Sequence, residues 1–265
     1  MRVITWNINK ANTGREETWN YLCALNPDLV FLQEVGWIPD FIENEFNCLN
    51  KKAAYKNGQP QSFATAILVR KNITLKSFQL LSELNWVNRE LDFFSGNFLA
   101  AEIILENGFH AQTISVHSPA WRIEPARLVG IDINEIKLKN NSDVWGTELL
   151  WAALNYMMPE NNLPWIIGGD FNFSVTFDLP KPRGNQEIID RMNKLGLVEC
   201  LFHKKEILTP TFKNANDKKI IHQIDHLFVS ADLISNLEFC DTGNSQHIFE
   251  NSLSDHLPII ADFSV

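Results

Sequence analysis

The sequence has few cysteines and a deficit of positive charge, and it lacks long apolar runs. Its four cysteines, Cys23, Cys48, Cys200 and Cys240, are far apart and form no C-x-x-C pair. Zinc ligation and a secreted disulfide framework are therefore poor interpretations, and free thiols in a reducing compartment are favoured. No apolar stretch approaches the ~20 residues of a membrane span, and the N-terminus has no signal-peptide core. We predict a cytoplasmic protein that does not associate with membranes.

The net charge of −9 comes from 32 acidic and 23 basic residues. A protein that neutralises many phosphates is usually basic, so tight binding to a long stretch of duplex is not expected. The basic residues are uneven, with nine Lys and Arg between Lys181 and Lys219. A basic rim beside a site and an ordinary solvated surface both fit these charges, and the solvated surface is favoured.

Short apolar runs bounded by Asn, Gly, Pro or Asp predict strands. They are RVITW, LVFLQ, FATAILV, FLAAEIIL, HAQTISV, PWIIGG, IDHLFV and LPIIADFSV. Helical spacing predicts helices over residues 15–25, 124–140, 147–158 and 185–196. Strands and helices mix without strict alternation, which predicts an α/β fold with mixed β-sheets and helices outside. No linker rich in Pro, Gly or Ser divides the chain, so we predict a single domain over residues 1–265.

Polar residues stand at the ends of these predicted strands. Four strands are followed by polar groups suited to metal or phosphate chemistry, namely Asn7, Glu34, His117 and the pair Asp170 and Asn172. Two later strands are instead preceded by such groups, Asp225 and the pair Asp255 and His256. If the later strands run antiparallel to their neighbours, all these groups meet in one cleft at one edge of the sheets.

Four of these groups are carboxylates that would repel one another in an acidic protein. No lysine or arginine is obvious within the motifs, and close carboxylates stay ionised only with a counter-charge. A hard divalent cation supplies that charge and leaves positions open for phosphate oxygens. Taken singly, each motif also fits a structural role: Glu34 as a surface residue, or GGDFN as a turn. Their joint occurrence favours a metal-dependent site.

Together the motifs resemble the endonuclease/exonuclease/phosphatase superfamily, which includes deoxyribonuclease I-like and exonuclease III-like enzymes. The matching elements are TWNIN, FLQEV, SVHSP, GGDFN, IDHLFVS and SDHLPI. They run from the first predicted strand to the last, so the resemblance covers essentially the whole chain. It implies a four-layer α/β sandwich, in which two mixed β-sheets pack together and helices cover the outside.

The resemblance also implies a division of labour among the site residues. It implies that Mg²⁺ or Mn²⁺ is held by Asn7, Glu34 and Asp255. It implies that Asp170 orients or deprotonates the attacking water, and that Asn172, His117 and His256 contact the scissile phosphate. Asp225 would orient His256 and favour its protonated form.

The implied activity is phosphodiester hydrolysis by in-line water attack, by a nuclease or a nucleic-acid-end phosphodiesterase. A phosphomonoesterase of a small phosphorylated metabolite or inositol phosphate is the alternative, and a catalytically inactive binding module is a third. The partner would be nucleic acid or a phosphorylated small molecule, with no obligate protein partner evident. Abasic-site endonucleases usually carry tyrosine at the position of His117 and a Trp-Arg-x-Asp-Tyr element where this chain reads HQIDHLF. These departures argue against abasic-site repair.

Substrate choice is predicted to involve the segment HSPAWRIEPAR. We predict substrate-binding roles for Trp121, which would stack on a base, and for Arg122 and Arg127, which would grip a neighbouring phosphate. Core packing is the alternative for Trp121.

Overall fold

The fold is described from a computed structural model, which covers residues 1–12, 14–160, 162–179, 181–216 and 218–265. The strands are β1 (Arg2–Ala11), β2 (Leu29–Val35), β3 (Phe46–Ala54), β4 (Pro60–Arg70), β5 (Thr74–Phe78), β6 (Phe98–Ile104), β7 (His110–His117), β8 (Trp165–Asp170), β9 (Leu197–Glu199), β10 (Phe212–Lys213), β11 (Ile220–His222), β12 (Asp225–Ser230), β13 (Leu237–Thr242) and β14 (Ile259–Phe263). The helices are α1 (Glu16–Ala24), α2 (Asp40–Glu45), α3 (Asn85–Phe93), α4 (Gly146–Met157), α5 (Asn185–Lys194), α6 (Cys200–Lys205), α7 (Ala231–Ile234) and α8 (Ser245–Glu250).

The strands form two six-stranded sheets and one small hairpin. The first sheet has the order β13-β14-β1-β2-β4-β3, the second has the order β5-β6-β7-β8-β12-β9, and β10 pairs with β11. Strands β1 and β2 pair in parallel, as do β7 and β8, and the other described pairs are antiparallel. Because β14 runs antiparallel to β1 and β12 to β8, the starts of the later strands lie beside the ends of the earlier ones.

Three apolar clusters separate four layers. Phe31 and Ile67 of the first sheet pack against Ile166 and Leu227 of the second, in a fully buried cluster between the sheets. A second cluster packs helices α1, α2 and α8 on the outer face of the first sheet. A third packs helices α3, α4 and α5 on the outer face of the second sheet. The predicted four-layer α/β sandwich is confirmed.

Gly168 on β8 lies at a close approach of the two sheets. A Cβ atom at this position would lie 2.6 Å from Cδ2 of Phe31 and 3.0 Å from Cβ of Thr5 on the facing sheet. Only glycine leaves room for that contact. The close packing fixes the path of β8 two residues before Asp170, and thus helps to position that carboxylate.

Three of the four predicted helices are confirmed as α1, α4 and α5. Helix α5 is followed by Gly196 in the left-handed conformation, with φ of +78°, which favours glycine at the end of a helix. The helix predicted over 124–140 is wrong, since this segment holds only a 3₁₀ turn over Pro125–Leu128. Gly130 adopts φ of +76°, which ends the turn, and the Asp132 side chain accepts from the backbone amide of Asn134 instead of allowing a helix.

The four cysteines are free thiols. Within the described ranges, no helix combines the length and apolarity that crossing a membrane requires.

Glu199 makes the stability of the fold depend on pH. It is buried, and burial raises the pKa of its carboxyl to about 7, although backbone amides of Phe202 and Leu227 donate to it. The native state therefore holds this proton more tightly than the unfolded chain. The stabilisation is fully present below the ordinary pKa of 4.5 and is lost as the pH rises through the folded value.

We expect Glu199→Gln to remove this dependence. The difference in free energy of unfolding between Glu199→Gln and the wild type should change by about 3 kcal/mol in favour of the variant between about pH 4.5 and pH 8. Urea unfolding at a series of pH values measures the difference. Glu83 is exposed, and Glu83→Gln is the matched control; its free energy of unfolding should depend on pH as that of the wild type does. A difference between Glu199→Gln and wild type that does not change with pH would contradict the assignment.

Candidate active site

The ends of three neighbouring strands bring His117, Asp170 and Asp225 together. In the parallel pair β7 and β8, His117 lies opposite Asp170, and in the antiparallel pair β8 and β12, Asp170 lies opposite Asp225. The facing sheet contributes Asn7 from β1, whose Nδ2 donates to Asp170 Oδ2 at 3.1 Å. The chain thus brings groups from both sheets to one end of the sandwich, as the topology required.

Asp225 and His256 form a buried hydrogen-bonded pair. His256 Nδ1 lies 2.9 Å from Asp225 Oδ2 and 3.1 Å from Oδ1. Burial alone would lower the pKa of His256, but the charge and hydrogen bond of Asp225 outweigh it and raise the pKa to about 10. A protonated imidazole held through Nδ1 can donate from Nε2 to an anion.

The segment before β14 is itself anchored by hydrogen bonds. Trp6 Nε1 donates to the His256 carbonyl oxygen at 2.9 Å, and the Ser254 hydroxyl donates to the Asn7 carbonyl oxygen at 2.6 Å. The Ser254 Oγ also accepts from the backbone amide of His256. The imidazole therefore sits on a rigid support that joins the first and last strands of the sheet.

Asp170 is buried and is held by two donors. Its Oδ1 accepts from the backbone amide of Asn172 at 3.0 Å, and its Oδ2 accepts from Asn7. Burial raises the pKa of Asp170 to about 7, and Asp225 adds to this, while His256 acts in the opposite direction. A carboxyl whose pKa lies near neutrality is suited to proton transfer.

Asn172 is fixed through both its backbone and its side chain. It adopts a left-handed backbone with φ of +53°, and its Nδ2 donates to the Ser118 carbonyl oxygen at 2.7 Å. Asparagine tolerates this conformation better than most residues do. The turn after β8 therefore holds Asn172 beside Asp170 at the surface of the cleft.

Glu34 has an unusual backbone conformation for its residue type. Its φ is +52°, which is costly for a glutamate and is found mainly where surrounding structure enforces it. Its carboxylate oxygens lie 3.4 Å from Lys10 Nζ and 3.9 Å from His117 Nε2. Burial lowers the pKa of His117 to about 4, and Glu34 offsets this only in part. His117 is therefore a neutral imidazole beside Glu34, and its buried Nδ1 has no partner among the described residues.

Two basic residues lie near the carboxylates, although no lysine or arginine is obvious within the motifs. Lys10 pairs with Glu34, and Arg15 interacts electrostatically with Asp255. Lys10 was not recognisable from the sequence because its approach depends on a local backbone irregularity. Asn9 and Lys10 both adopt positive φ, and the pairing of β1 with β2 shifts register between Asn7 and Ala11.

Two groups of side chains could hold a metal ion. Ligand atoms of Asp170, Asp225 and His256, all buried, lie within 4.8 Å of one another. These atoms are already satisfied in part by hydrogen bonds to one another, to Asn7 and to Thr211. The carboxylates of Glu34 and Asp255 line the same cleft, where Glu34 is paired with Lys10 and Asp255 interacts with Arg15.

A cleft of about 660 Å³ unites these groups. The site residues along its wall are Glu34, His117, Trp121, Asp170, Asn172, Asp255 and His256. Asn7 and Asp225 lie behind this wall, and each is bonded to a residue in it, Asp170 and His256 respectively.

The two predicted substrate-binding arginines are not brought into the cleft. Arg122 pairs with Asp143 at 2.9 Å, and Arg127 pairs with Glu90 at 2.7 Å and lies over the ring of Phe93. Neither is among the described residues that line the cleft, because other groups already hold their guanidinium ions.

Thr211 is a site residue that the sequence did not single out. Its hydroxyl donates to Asp225 Oδ2 at 2.7 Å and accepts from the backbone amide of Asp225. It therefore fixes the carboxylate that orients His256. A lone threonine in LTPTF carries no signal of this role, because the contact joins two segments that are separated by the β10–β11 hairpin.

Residues 4–256 match the Endonuclease/Exonuclease/phosphatase family. Among solved structures, an AP endonuclease from Archaeoglobus fulgidus is similar at a TM-score of 0.71 and 16% identity, with 100% of each chain covered. The 3′ phosphatase NExo from Neisseria, solved with a product DNA hairpin, is similar at 0.67 and 17%, again over 100% of each chain. The endonuclease domain of TRAS1, a telomere-specific non-LTR retrotransposon, is similar at 0.63 and 14%, over 100% of this chain and 98% of that domain.

A comparison with curated proteins finds no match. At identities below a fifth, the structural similarities establish the fold alone, while the family match spans nearly the whole chain. The chain therefore belongs to the endonuclease/exonuclease/phosphatase family of phosphoester hydrolases.

Proposed function

We propose that this protein hydrolyses phosphodiester bonds in nucleic acid, with a bound divalent cation, Mg²⁺ or Mn²⁺. The observation that carries the proposal is the position of the buried Asp225–His256 pair next to Asp170, in a cleft that also contains the carboxylates of Glu34 and Asp255. This arrangement combines an imidazolium that can bind an anion, a carboxyl of near-neutral pKa that can act as a base, and carboxylate oxygens that can bind a cation.

The residues fit a hard divalent cation. Glu34 and Asp255 offer carboxylate oxygens on the wall of the cleft, and such oxygens are the ligands that Mg²⁺ prefers; the cation would replace Lys10 as the partner of Glu34. The strained backbone of Glu34 aims its side chain into the cleft at a cost in stability, which favours a functional role. We propose that Glu34 and Asp255 hold the cation and that the Asn7 amide supports the site through Asp170. When bound, the cation neutralises charge on the phosphate and the leaving oxygen.

The other site residues accept or donate protons during the reaction. Asp170, oriented by Asn7 and Asn172, accepts a proton from the attacking water. His256, protonated and fixed by Asp225, donates from Nε2 to a phosphoryl oxygen and stabilises the charge that develops there. His117 and Asn172 line the same wall and complete the contacts to the phosphate. Positioning and electrostatics account for most of the catalysis in phosphoryl transfer.

Three features support nucleic acid as the substrate. The cleft is rich in aromatic side chains, which stack on bases. The Neisseria relative was solved with DNA. The net charge of −9 disfavours long duplex footprints and favours single strands, ends or short pieces. We also propose that residues 1–265 act as one domain, because Asn7 and His256, near opposite ends of the chain, meet in one site.

A substrate panel tests the proposal. Single- and double-stranded DNA, RNA, 5′-tyrosyl DNA, nucleotides and inositol phosphates are incubated with Mg²⁺, Mn²⁺ or EDTA. We expect cleavage of oligonucleotides with either metal and none in EDTA. Phosphate release from inositol phosphates or nucleotides, without any cleavage of oligonucleotides, would replace the proposal with a phosphomonoesterase.

A further inference from the structure

Lys10 lines the catalytic cleft, and the proposed mechanism gives its side chain no role. Besides two histidines, the described residues along the cleft include four carboxylic acids but only one lysine and one arginine, Lys10 and Arg183. The phosphodiester group of a substrate is negatively charged, so binding it among carboxylates requires a positive charge close by. Lys10 Nζ lies 3.4 Å from an oxygen of Glu34, a proposed ligand of the cation. Lys10 therefore brings a positive charge to the place where the phosphate would bind.

A bulge near the end of β1 determines where Lys10 lies. The pairing of β1 with β2 shifts there, so that residues 8–10 of β1 lie opposite the single residue Glu34 of β2. Three residues in and opposite the bulge have positive φ angles: Asn9 at 45°, Lys10 at 57° and Glu34 at 52°. Bulges beside active sites commonly redirect a side chain. This bulge brings the ammonium group of Lys10 next to the carboxylate of Glu34.

Contacts with neighbouring segments hold the bulge in place. Asn7 Oδ1 accepts from the backbone amide of Asn9 at 3.0 Å, and the Asn9 carbonyl oxygen accepts from Arg15 Nη1 at 2.6 Å. Gly36 allows the chain after β2 to pass closely, since a Cβ atom there would lie 2.9 Å from the Lys10 carbonyl oxygen. Strained backbone persists only where the surrounding structure enforces it, and it is concentrated at functional sites. The strain at Lys10 therefore favours a function for this residue.

The ammonium group of Lys10 is held only loosely by its present partners. Its 3.4 Å distance to Glu34 exceeds the roughly 2.7–2.9 Å of a charge-assisted hydrogen bond, and 54% of the Lys10 side chain is exposed. Lys10 Nζ also lies 5.3 Å from the ring centroid of Phe63. Exposed ion pairs of this kind contribute little to stability. Lys10 can therefore exchange Glu34 for a phosphate oxygen at small cost, and its three N–H donors suit that anion.

We infer that Lys10 binds the phosphate at the cleaved bond, beside the cation held by Glu34 and Asp255. This inference rests on the proposed phosphodiesterase function and adds a substrate-binding residue to it. Next to the same carboxylate, the positive charges of the ammonium group and the cation repel each other. Lys10 therefore strengthens the binding of substrate and weakens the binding of the cation. A lysine that only paired with Glu34 would weaken cation binding without strengthening substrate binding.

Lys10→Met, which keeps the length of the side chain and removes its charge, tests both effects. Without substrate, we expect the dissociation constant for Mn²⁺, measured by electron paramagnetic resonance, to fall about threefold or more. With a short single-stranded oligonucleotide at saturating Mg²⁺, we expect kcat/KM to fall about tenfold, as for the loss of a charged hydrogen bond.

The salt dependence of strand binding identifies the lost contact as one to phosphate. The strand is bound to the slow Asp170→Asn enzyme, with and without Lys10→Met, over a range of KCl concentrations at fixed Mg²⁺. We expect the slope of log affinity against log KCl concentration to become shallower by about 0.7, the contribution of one phosphate contact to a single strand. Lys10→Arg keeps the charge and should keep the slope.

Lys76→Met is the matched control, because Lys76 is an exposed residue of the edge strand β5. It should match the wild type in Mn²⁺ affinity, kcat/KM and salt slope. Thermal unfolding identifies a variant that fails to fold. If Lys10→Met does so, Lys10→Gln, which also removes the charge, decides the result.

The outcomes separate the role of Lys10 from the proposed function. An unchanged kcat/KM and salt slope in folded Lys10→Met would overturn this role and leave the phosphodiesterase in place. Weaker Mn²⁺ binding in Lys10→Met would also overturn it, because Lys10 would then support the cation site. If the wild type cleaves no strand with either metal, the proposed function is wrong and the role of Lys10 is wrong with it.

Discussion

Replacing Asp170 with asparagine is expected to lower kcat for oligonucleotide cleavage by about 10²–10⁴-fold, the contribution of a positioned general base. Asparagine keeps the size of the side chain and can still accept from Asn7 or from the amide of Asn172, but it cannot take a proton from water. Steady-state cleavage of a labelled single strand at saturating Mg²⁺ measures the loss.

The control for this change is Asp190→Asn, an exposed residue of helix α5. It removes one carboxylate from the same chain and should leave kcat within about twofold of the wild type, as surface substitutions usually do. Circular dichroism and urea unfolding verify that Asp170→Asn is folded. A folded Asp170→Asn enzyme with a rate close to the wild type would remove Asp170 from the chemical step.

Replacing Glu34 with glutamine is expected to act through the metal. The substitution keeps an oxygen ligand but removes its charge, so the Mg²⁺ concentration for half-maximal activity should rise by more than about tenfold. kcat should fall by about 10²-fold or more, because a Lewis acid contributes several kcal/mol to stabilising the transition state. Activity measured across a Mg²⁺ titration separates the two effects.

Glu34→Gly provides a second readout that does not depend on turnover. Glycine adopts the observed φ of +52° without strain, so the free energy of unfolding in EDTA should rise by about 1 kcal/mol while activity is lost. Opposite changes in stability and activity are typical of a side chain held in place for function. Loss of stability in Glu34→Gly, or an unchanged Mg²⁺ requirement in Glu34→Gln, would instead assign Glu34 to the fold.

The sequence predicted the interior of the fold better than its margins. Each of the eight predicted strands lies in a strand that has neighbours on both sides. The four edge strands, β3, β5, β9 and β13, were not predicted. β3 reads FNCLNKKAA and β5 reads TLKSF, with polar residues wherever the edge meets solvent. Edge strands are protected from pairing by such residues, and this removes the apolar run that identifies a strand.

The site was predictable where a residue type and its place on a strand both pointed to chemistry. Asp170, Asp225 and His256 flank apolar runs, and the antiparallel course of β12 and β14 brings them together as expected. Lys10 and Thr211 were not predictable, because the contact of Lys10 depends on a register shift and that of Thr211 depends on the β10–β11 hairpin folding back. Arg122 and Arg127 do not line the cleft for a related reason: they pair with Asp143 and Glu90, and neither pairing could be read from the sequence.

Binding of the metal itself is the most direct test of the central claim, that oxygen ligands from distant segments form a divalent-cation site beside a catalytic Asp–His pair. Mn²⁺ is titrated into the wild type, Glu34→Gln and Glu83→Gln, binding is followed by electron paramagnetic resonance, and cleavage of a single-stranded oligonucleotide is assayed in the same samples. We predict that Mn²⁺ binding and cleavage rise together in the wild type and in Glu83→Gln, that both weaken in Glu34→Gln, and that EDTA abolishes both. Cleavage that persists in EDTA, or Mn²⁺ binding that is unaffected by Glu34→Gln, would contradict it.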